Sequence, residues 1–323
     1  MKKVIAIGEL LIDFVPAEKG CALREVTHFE RVAGGAPANV VSAVSRLGGS
    51  GVMVSQVGED AFGEHIIDVL RHNGVDTSWV YRTKRANTGL AFVSLDSTGN
   101  REFSFFRNPS GDLFLSPEQI TPELMADGAA LHFCSVDLVD YPCRQAHRRA
   151  IELARERGMM ICFDPNVRLP LWDSPESCQE AIREFLPYAD IVKISDDELA
   201  FVTGCHTEAE AAKQLFAMNC RLMLVTRGAE GSAAYTPSAV AEREALRVPV
   251  VDTTGCGDSF IGSFLYQLVR DGVTAERLGE LSAGELGRYL DFSARYASLT
   301  VGQKGAVMAT LDELTAAYPE TAQ

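Results

Sequence analysis

The sequence predicts an α/β fold, with a mostly parallel central sheet covered by helices on both faces and a small β-sheet inserted into it. Two observations carry this. Short apolar runs at 4–7, 52–57, 129–134, 159–163, 191–194 and 222–226 recur along the chain, with stretches of helical spacing between several of them. Strands that are apolar along their whole length need cover on both faces, which the crossover helices of a parallel sheet supply. A second set, at 11–17, 23–32, 90–95 and 101–106, is strand-like with turns rather than helices between its members.

In chain order, 4–7 reads as a buried strand and 37–47 as a helix. Pro37 suits a first turn, and Val40, Val41, Val44 and Leu47 fall near one helical face. A strand at 52–57 and a helix at 62–72 follow. Asp96-Ser97-Thr98-Gly99-Asn100 is a strong turn and makes 90–95 and 101–106 a hairpin. Helices at 143–157, 176–186 and 208–218 alternate with the later strands. No internal repeat, low-complexity tract or long linker interrupts the chain. Residues 1–323 therefore read as one unit, with strands from about 11–32 and 88–107 inserted in it as a lid.

Composition narrows the partners. The 323 residues are 46% hydrophobic and 23% charged, an ordinary globular balance. The formal net charge of -14 disfavours nucleic acid and anionic membranes. It leaves anionic small molecules open, because a local anion hole overcomes a distant field at physiological salt. The eight cysteines form no C-x-x-C pair and no zinc spacing, as expected of free thiols in a reducing compartment. Glu9 and Asp13 interrupt the N-terminal apolar run too early for a signal peptide, and no run of about 18 uncharged apolar residues occurs. A cytoplasmic protein is expected.

The run Asp252-Thr253-Thr254-Gly255-Cys256-Gly257-Asp258 leads into an apolar helical segment. Glycines there let backbone approach a ligand closely, and the first N–H groups of a helix lack internal partners. Gly255 to Asp258 is thus a candidate anion hole with a base, Asp258, beside it. An ordinary helix with an acidic first turn would look the same. Gly34-Gly35-Ala36-Pro37-Ala38-Asn39 is a second candidate ligand turn, or a plain loop before a helix. Asp13, at the end of an apolar run, can accept two vicinal sugar hydroxyls; alone it reads more readily as a surface strand residue. Asp164 and Arg168 close one strand, and sheets of this kind bind ligands beyond their carboxyl ends, which makes Arg168 a candidate for a phosphate or substrate oxygen and Asp164 a candidate on the nucleotide side. Lys193-Ile194-Ser195-Asp196-Asp197-Glu198 closes another, and its carboxylates suit Mg²⁺ held largely through water, or equally a capped helix start. Thr226, Arg227, Gly228 and Gly231 form either a nucleotide-phosphate loop or a hairpin turn. Arg107, after the Phe103, Phe105, Phe106 stripe, is placed to reach the crevice. His132 reads as a core residue. No Walker loop and no G-x-G-x-x-G after a strand is present.

Taken together, these stretches resemble the ribokinase-like, or PfkB-type, carbohydrate kinases, in order and over nearly the whole chain. The resemblance implies a three-layer α/β/α ribokinase-like fold with a β lid over a sugar site, and transfer of the γ-phosphoryl group of ATP to a sugar hydroxyl with Mg²⁺. It makes Asp258 the general base and gives the backbone of Gly255, Cys256 and Gly257 to the anion hole. It places Asp13, Gly34, Gly35 and Asn39 on the sugar, and Lys193 with the 226–231 loop on the nucleotide. Glu198 becomes linked to Mg²⁺. A monovalent cation, K⁺ in particular, falls near Asp252 and Thr254 with carbonyls around Gly305. Pairing of two copies through the lid is expected of relatives. Ser195 stands where many relatives have asparagine, and Cys256 where alanine is common. Within the family the motifs, including Phe163-Asp164-Pro165-Asn166-Val167-Arg168, are most similar to fructokinases. Aminoimidazole riboside kinases are close, and 2-keto-3-deoxygluconate kinases, kept in view by Phe106-Arg107, are more distant. An inactive sugar-binding regulator on the same fold is the non-enzymatic alternative, against which the intact Asp258 speaks.

Overall fold

The structure, a computed structural model, describes residues 1–16, 18, 20, 22–95 and 101–321. The strands are β1 (Lys3–Ile7), β2 (Leu11–Pro16), β3 (Phe29–Gly34), β4 (Ser50–Gly58), β5 (Asp76–Thr83), β6 (Gly89–Leu95), β7 (Arg101–Phe106), β8 (Gly128–Cys134), β9 (Met160–Asp164), β10 (Ile191–Ser195), β11 (Leu222–Thr226), β12 (Ser232–Tyr235) and β13 (Val240–Arg243). The helices are α1 (Ala36–Arg46), α2 (Ala61–His72), α3 (Pro142–Glu156), α4 (Pro175–Phe185), α5 (Asp196–Thr203), α6 (Glu208–Ala217), α7 (Cys256–Arg270), α8 (Ala283–Val301) and α9 (Leu311–Ala317).

Nine strands form one sheet in the order β13-β12-β11-β10-β9-β8-β1-β4-β5, parallel except for the antiparallel β11-β12-β13 edge. The period-2 alternation of a strand is visible in β1. Val4 and Ala6 join a core with α1, α2, α7 and α8, while Ile5 and Ile7 join a second core with α3, α4 and α6. Both faces are therefore covered, which is why these strands are apolar throughout.

The lid is a separate four-stranded sheet, β3-β2-β6-β7. β2 and β6 run parallel, so β1 feeds the body and β2 the lid across a corner of three residues. Phe14, Phe29 and Phe92 pack ring on ring there, with Phe14 and Phe92 stacked at 4.6 Å. One expectation changes. The 23–32 stretch is not one strand: Leu23–Glu25 is a 3-10 turn, and pairing with β2 begins at Phe29. The 96–100 turn and Ala17 lie outside the described residues.

Strand order reverses at β1, with β4 on one side and β8 on the other, so the crevice opens beyond the carboxyl ends of β1 and β8. Along that edge β8, β9, β10 and β11 end in Cys134, Asp164, Ser195 and Thr226. Four strand spacings separate β1 from β11, about 19 Å.

Candidate active site

The tip of α7 is built by constraints on its flanks. Gly255, the N-cap, has φ +75, and a Cβ there would come 2.5 Å from the Ala306 Cβ. The loop before it is pinned at Asp252. One carboxylate oxygen accepts hydrogen bonds from the Thr254 N–H (2.9 Å) and hydroxyl (2.7 Å), and the other from the Gly305 N–H (3.0 Å). The three residues expected near a monovalent cation are therefore clustered. The Cys256 N–H lies 3.3 Å from the Thr253 carbonyl, a long bond that a stronger acceptor could displace.

Asp258 is the third residue of α7. Its Oδ2 accepts a hydrogen bond from Asn39 Nδ2 at 2.8 Å, across 219 residues of chain. Asn39 can reach it because α1 and α7 pack closely at Gly262, where a Cβ would lie 2.7 Å from the Val40 carbonyl. Burial raises the Asp258 carboxyl to about 6; the Asn39 hydrogen bond holds it down, Asp164 adds to the rise, and Lys193 and Arg168 oppose it. The Asp258 carboxyl is thus held well above the usual aspartate range.

Lys193 and Asp164 complete this centre. The buried Lys193 Nζ lies 2.9 Å from Asp164 Oδ2 and 3.0 Å from the place a Gly257 Cβ would occupy. Glycine at 257 is what lets an ammonium group press against the anion hole. Burial works against that charge, but the carboxylates of Asp164, Glu198 and Asp258 outweigh it and hold the lysine above its usual range. Arg168 is exposed, donates to its neighbour's carbonyl at 3.0 Å, and acts on Asp258 through its charge.

At the end nearest the lid, Gly34 closes β3 opposite Leu11, and a Cβ on it would fall on Asp13 Oδ2. Gly35 has φ +119 and turns the chain into α1 directly over the Glu9 carbonyl. Arg107 departs from expectation. Its guanidinium is buried in ion pairs with Asp112 and Asp137 rather than open to the crevice. Two aspartates behind it draw the charge inward.

At the far end, Glu198 accepts hydrogen bonds from the Val167 N–H (2.6 Å) and the Ser195 N–H (3.2 Å), tying α5 to the β9 loop. The 226–231 loop is a tight turn joining antiparallel β11 and β12, with Gly228 at φ +52 and Gly231 at φ +105. The Arg227 guanidinium makes two 2.6 Å bonds to Glu208, and the Arg227 backbone N–H donates to the Gly231 carbonyl at 2.8 Å, so the turn is held from both side chain and backbone. Among the described residues, no group of three or more His, Cys, Asp or Glu side chains is arranged to hold a metal ion, and no helix is long and apolar enough to cross a membrane. His132 is a core residue, held neutral by burial, with its pKa near 3.

The structure thus brings together Asp258, Asn39, Gly257, Lys193 and Asp164, with Asp13, Gly34 and Gly35 at one end and Glu198 and Thr226 at the other. Sequence reasoning put Lys193 and Asp164 with the nucleotide and did not place them beside the base. It gave Glu9 no role; the turn at Gly35 that rests on its carbonyl is not a sequence-local signal.

A glycine-capped helix tip, a tuned carboxylate and a buried lysine on a doubly covered sheet define a phosphotransferase site. The model of the pfkB family of carbohydrate kinases matches residues 1–313, and the chain belongs to that family. It is 44% identical over 307 residues to probable fructokinase-2 of Arabidopsis thaliana, covering 95% of this chain and 92% of that one. Among solved structures it is similar to a fructokinase with bound ATP from Xylella fastidiosa (TM-score 0.90, 33% identity, 99% of each chain). A Vibrio cholerae O395 fructokinase with fructose, ADP and calcium bound is also similar (TM-score 0.85, 30% identity, 98% of each chain).

Proposed function

We propose that this carbohydrate kinase is a cytoplasmic, ATP-dependent fructokinase that makes fructose 6-phosphate, with Asp258 as general base. The single observation that carries the reading is the Asp258–Asn39 contact beside Lys193. It places a proton acceptor, an anchoring donor and a cation at one helix tip. The sugar lies over Gly34, Gly35 and Asp13 under the lid. Its 6-hydroxyl gives its proton to Asp258 as the oxygen attacks the γ-phosphoryl group. The N–H groups of Gly255, Cys256 and Gly257, with Lys193, hold the charge that develops on the transferred group. Arg168, exposed on the loop after β9, closes on the same oxygens. ATP runs toward Thr226, with the backbone of 226–231 on its far side.

The fructokinases of similar structure have ATP, or fructose with ADP and calcium, bound. With both carboxylate bonds made to backbone, Glu198 fits Mg²⁺ met through water and brought in on the nucleotide. Mg²⁺ there would neutralise phosphate charge. Asp252, Thr254 and Gly305 fit the monovalent cation. Phe106, 62% exposed on the lid, fits a homodimer paired through that sheet. A substrate carrying a carboxylate is disfavoured, because the cluster around Arg107 already sets two aspartates on one guanidinium.

Transfer of phosphate from ATP should be assayed across fructose, aminoimidazole riboside and 2-keto-3-deoxygluconate. Fructose is expected to give the highest kcat/KM, and a higher value with either of the others would reassign the substrate. Asp258→Asn should fold and bind sugar but lose turnover about 10²–10⁴-fold. Near-normal kcat in that variant would remove Asp258 from its role.

A further inference from the structure

We propose that Glu9 is a positioning residue for the catalytic base, acting through the first turn of α1. The inference rests on the kinase reading above and deepens it.

Glu9 stands at the corner between body and lid and is 3% exposed. Its Oε1 accepts a hydrogen bond from the N–H of Ala36, the first residue of α1, at 2.9 Å. Its own carbonyl lies against Gly35, which has no Cβ to keep it away. One residue thus grips both sides of the turn that launches the helix. Three residues on, Asn39 closes that turn with its N–H on the Gly35 carbonyl (3.0 Å) and donates its side chain to Asp258. Glu9 also accounts for its own burial poorly unless it has such a task. A carboxylate facing Arg107 shares that cation with Asp112 and Asp137, and its second oxygen finds no hydrogen-bond partner among the described residues. Burial accordingly raises it to about 7. An apolar residue would avoid that cost but would leave the Ala36 N–H without this acceptor.

The groups facing Asp258 are Asn39 from α1, Asp164 from β9, Arg168 from the loop after β9, Lys193 from β10 and Cys134 from β8. Of these only Asn39 sits on the element that Glu9 holds. Glu9 does not act on Asp258 directly.

The test measures kcat, sugar KM, thermal melting and the acid limb of the kcat–pH profile. Glu9→Ala should lower kcat about tenfold, as expected when a buried N–H loses its acceptor, and move the acid limb to higher pH. Glu9→Gln keeps an oxygen facing Ala36 and should recover most of the turnover. Glu9→Asp keeps the charge but shortens the reach and should behave like Glu9→Ala, which preserves the test if the alanine variant does not fold. In an Asn39→Ala background, Glu9→Ala should lower kcat by no more than about twofold further. Independent, multiplying effects of the two substitutions would overturn the proposal. So would folded Glu9→Ala or Glu9→Asp with normal kcat and an unmoved limb, or Glu9→Gln as damaged as Glu9→Ala. The kinase reading fails separately, if the unaltered protein phosphorylates no sugar.

Discussion

Burial raises the Asp258 carboxyl to about 6 in the folded protein, and as the proposed general base it must be deprotonated to accept a proton from the sugar. Turnover should therefore be full above that value and fall as pH drops through about 6. Near pH 7 roughly nine in ten molecules hold the ionised form. The sign is fixed by burial, which raises the group. The Asn39 bond is what keeps the rise modest, so Asn39→Ala should carry the limb upward by about one pH unit. A kcat–pH profile between pH 5 and 8 checks both statements, and a limb that stays near pH 4 would contradict the first. This tuning was not legible in the sequence. Asp258 stands out beside Gly255 and Gly257, but Asn39 is 219 residues away and was assigned to the sugar. Motifs announce residue types at a turn; which side chains meet across the crevice is decided by packing.

At the scale of elements, the α1–α7 contact is where that packing is set. Gly262 allows it: an added Cβ would lie 2.7 Å from the Val40 carbonyl and 2.8 Å from the Ala43 Cβ, neither of which can swing aside. Gly262→Ala should destabilise the fold by about 1–3 kcal/mol, the usual range for an overpacked core, and weaken the Asp258–Asn39 bond as the helices part. Melting temperature and kcat should fall together; an unchanged melting point would show that the helices do not set the spacing. The same physics explains which elements could be read in advance. β1, β8, β9, β10 and β11 are buried on both faces, so their composition alone marks them. α1 to α4 show a clear apolar stripe. α8 is not anticipated, because Gly287, Ser293 and Thr300 dilute its buried face of Leu286, Tyr289, Leu290, Phe292 and Tyr296. The stretch around Leu23 has strand-like residues, but it precedes the point where β2 offers partners, and propensity without a partner makes only a 3-10 turn.

For the whole molecule, the question is how the lid meets the body. β3 runs antiparallel to β2, with Val32 opposite Asp13. Its other neighbour is the loop after α8. Lys304 Nζ lies 2.5 Å from Glu30 Oε2, and a Cβ on Gly305 would touch Val32 at 3.4 Å. Gly305 in turn donates to Asp252, and Ala306 packs against Gly255. The lid strand that flanks Asp13 therefore leans on the loop that shapes the tip of α7. An exposed ion pair contributes only about 0–1 kcal/mol, so its loss should not unfold the protein. It should instead favour lid-open molecules, which admit water to the γ-phosphoryl group. Lys304→Glu should therefore leave the melting temperature nearly unchanged, raise the sugar KM about two- to fivefold, and increase ATP hydrolysis without sugar by a similar factor. The double exchange Lys304→Glu with Glu30→Lys should restore both. Raising ionic strength should move the unaltered enzyme in the same direction as the single substitution, since screening weakens exposed pairs. Unchanged sugar-free hydrolysis in Lys304→Glu would show that this contact plays no part in closing the lid.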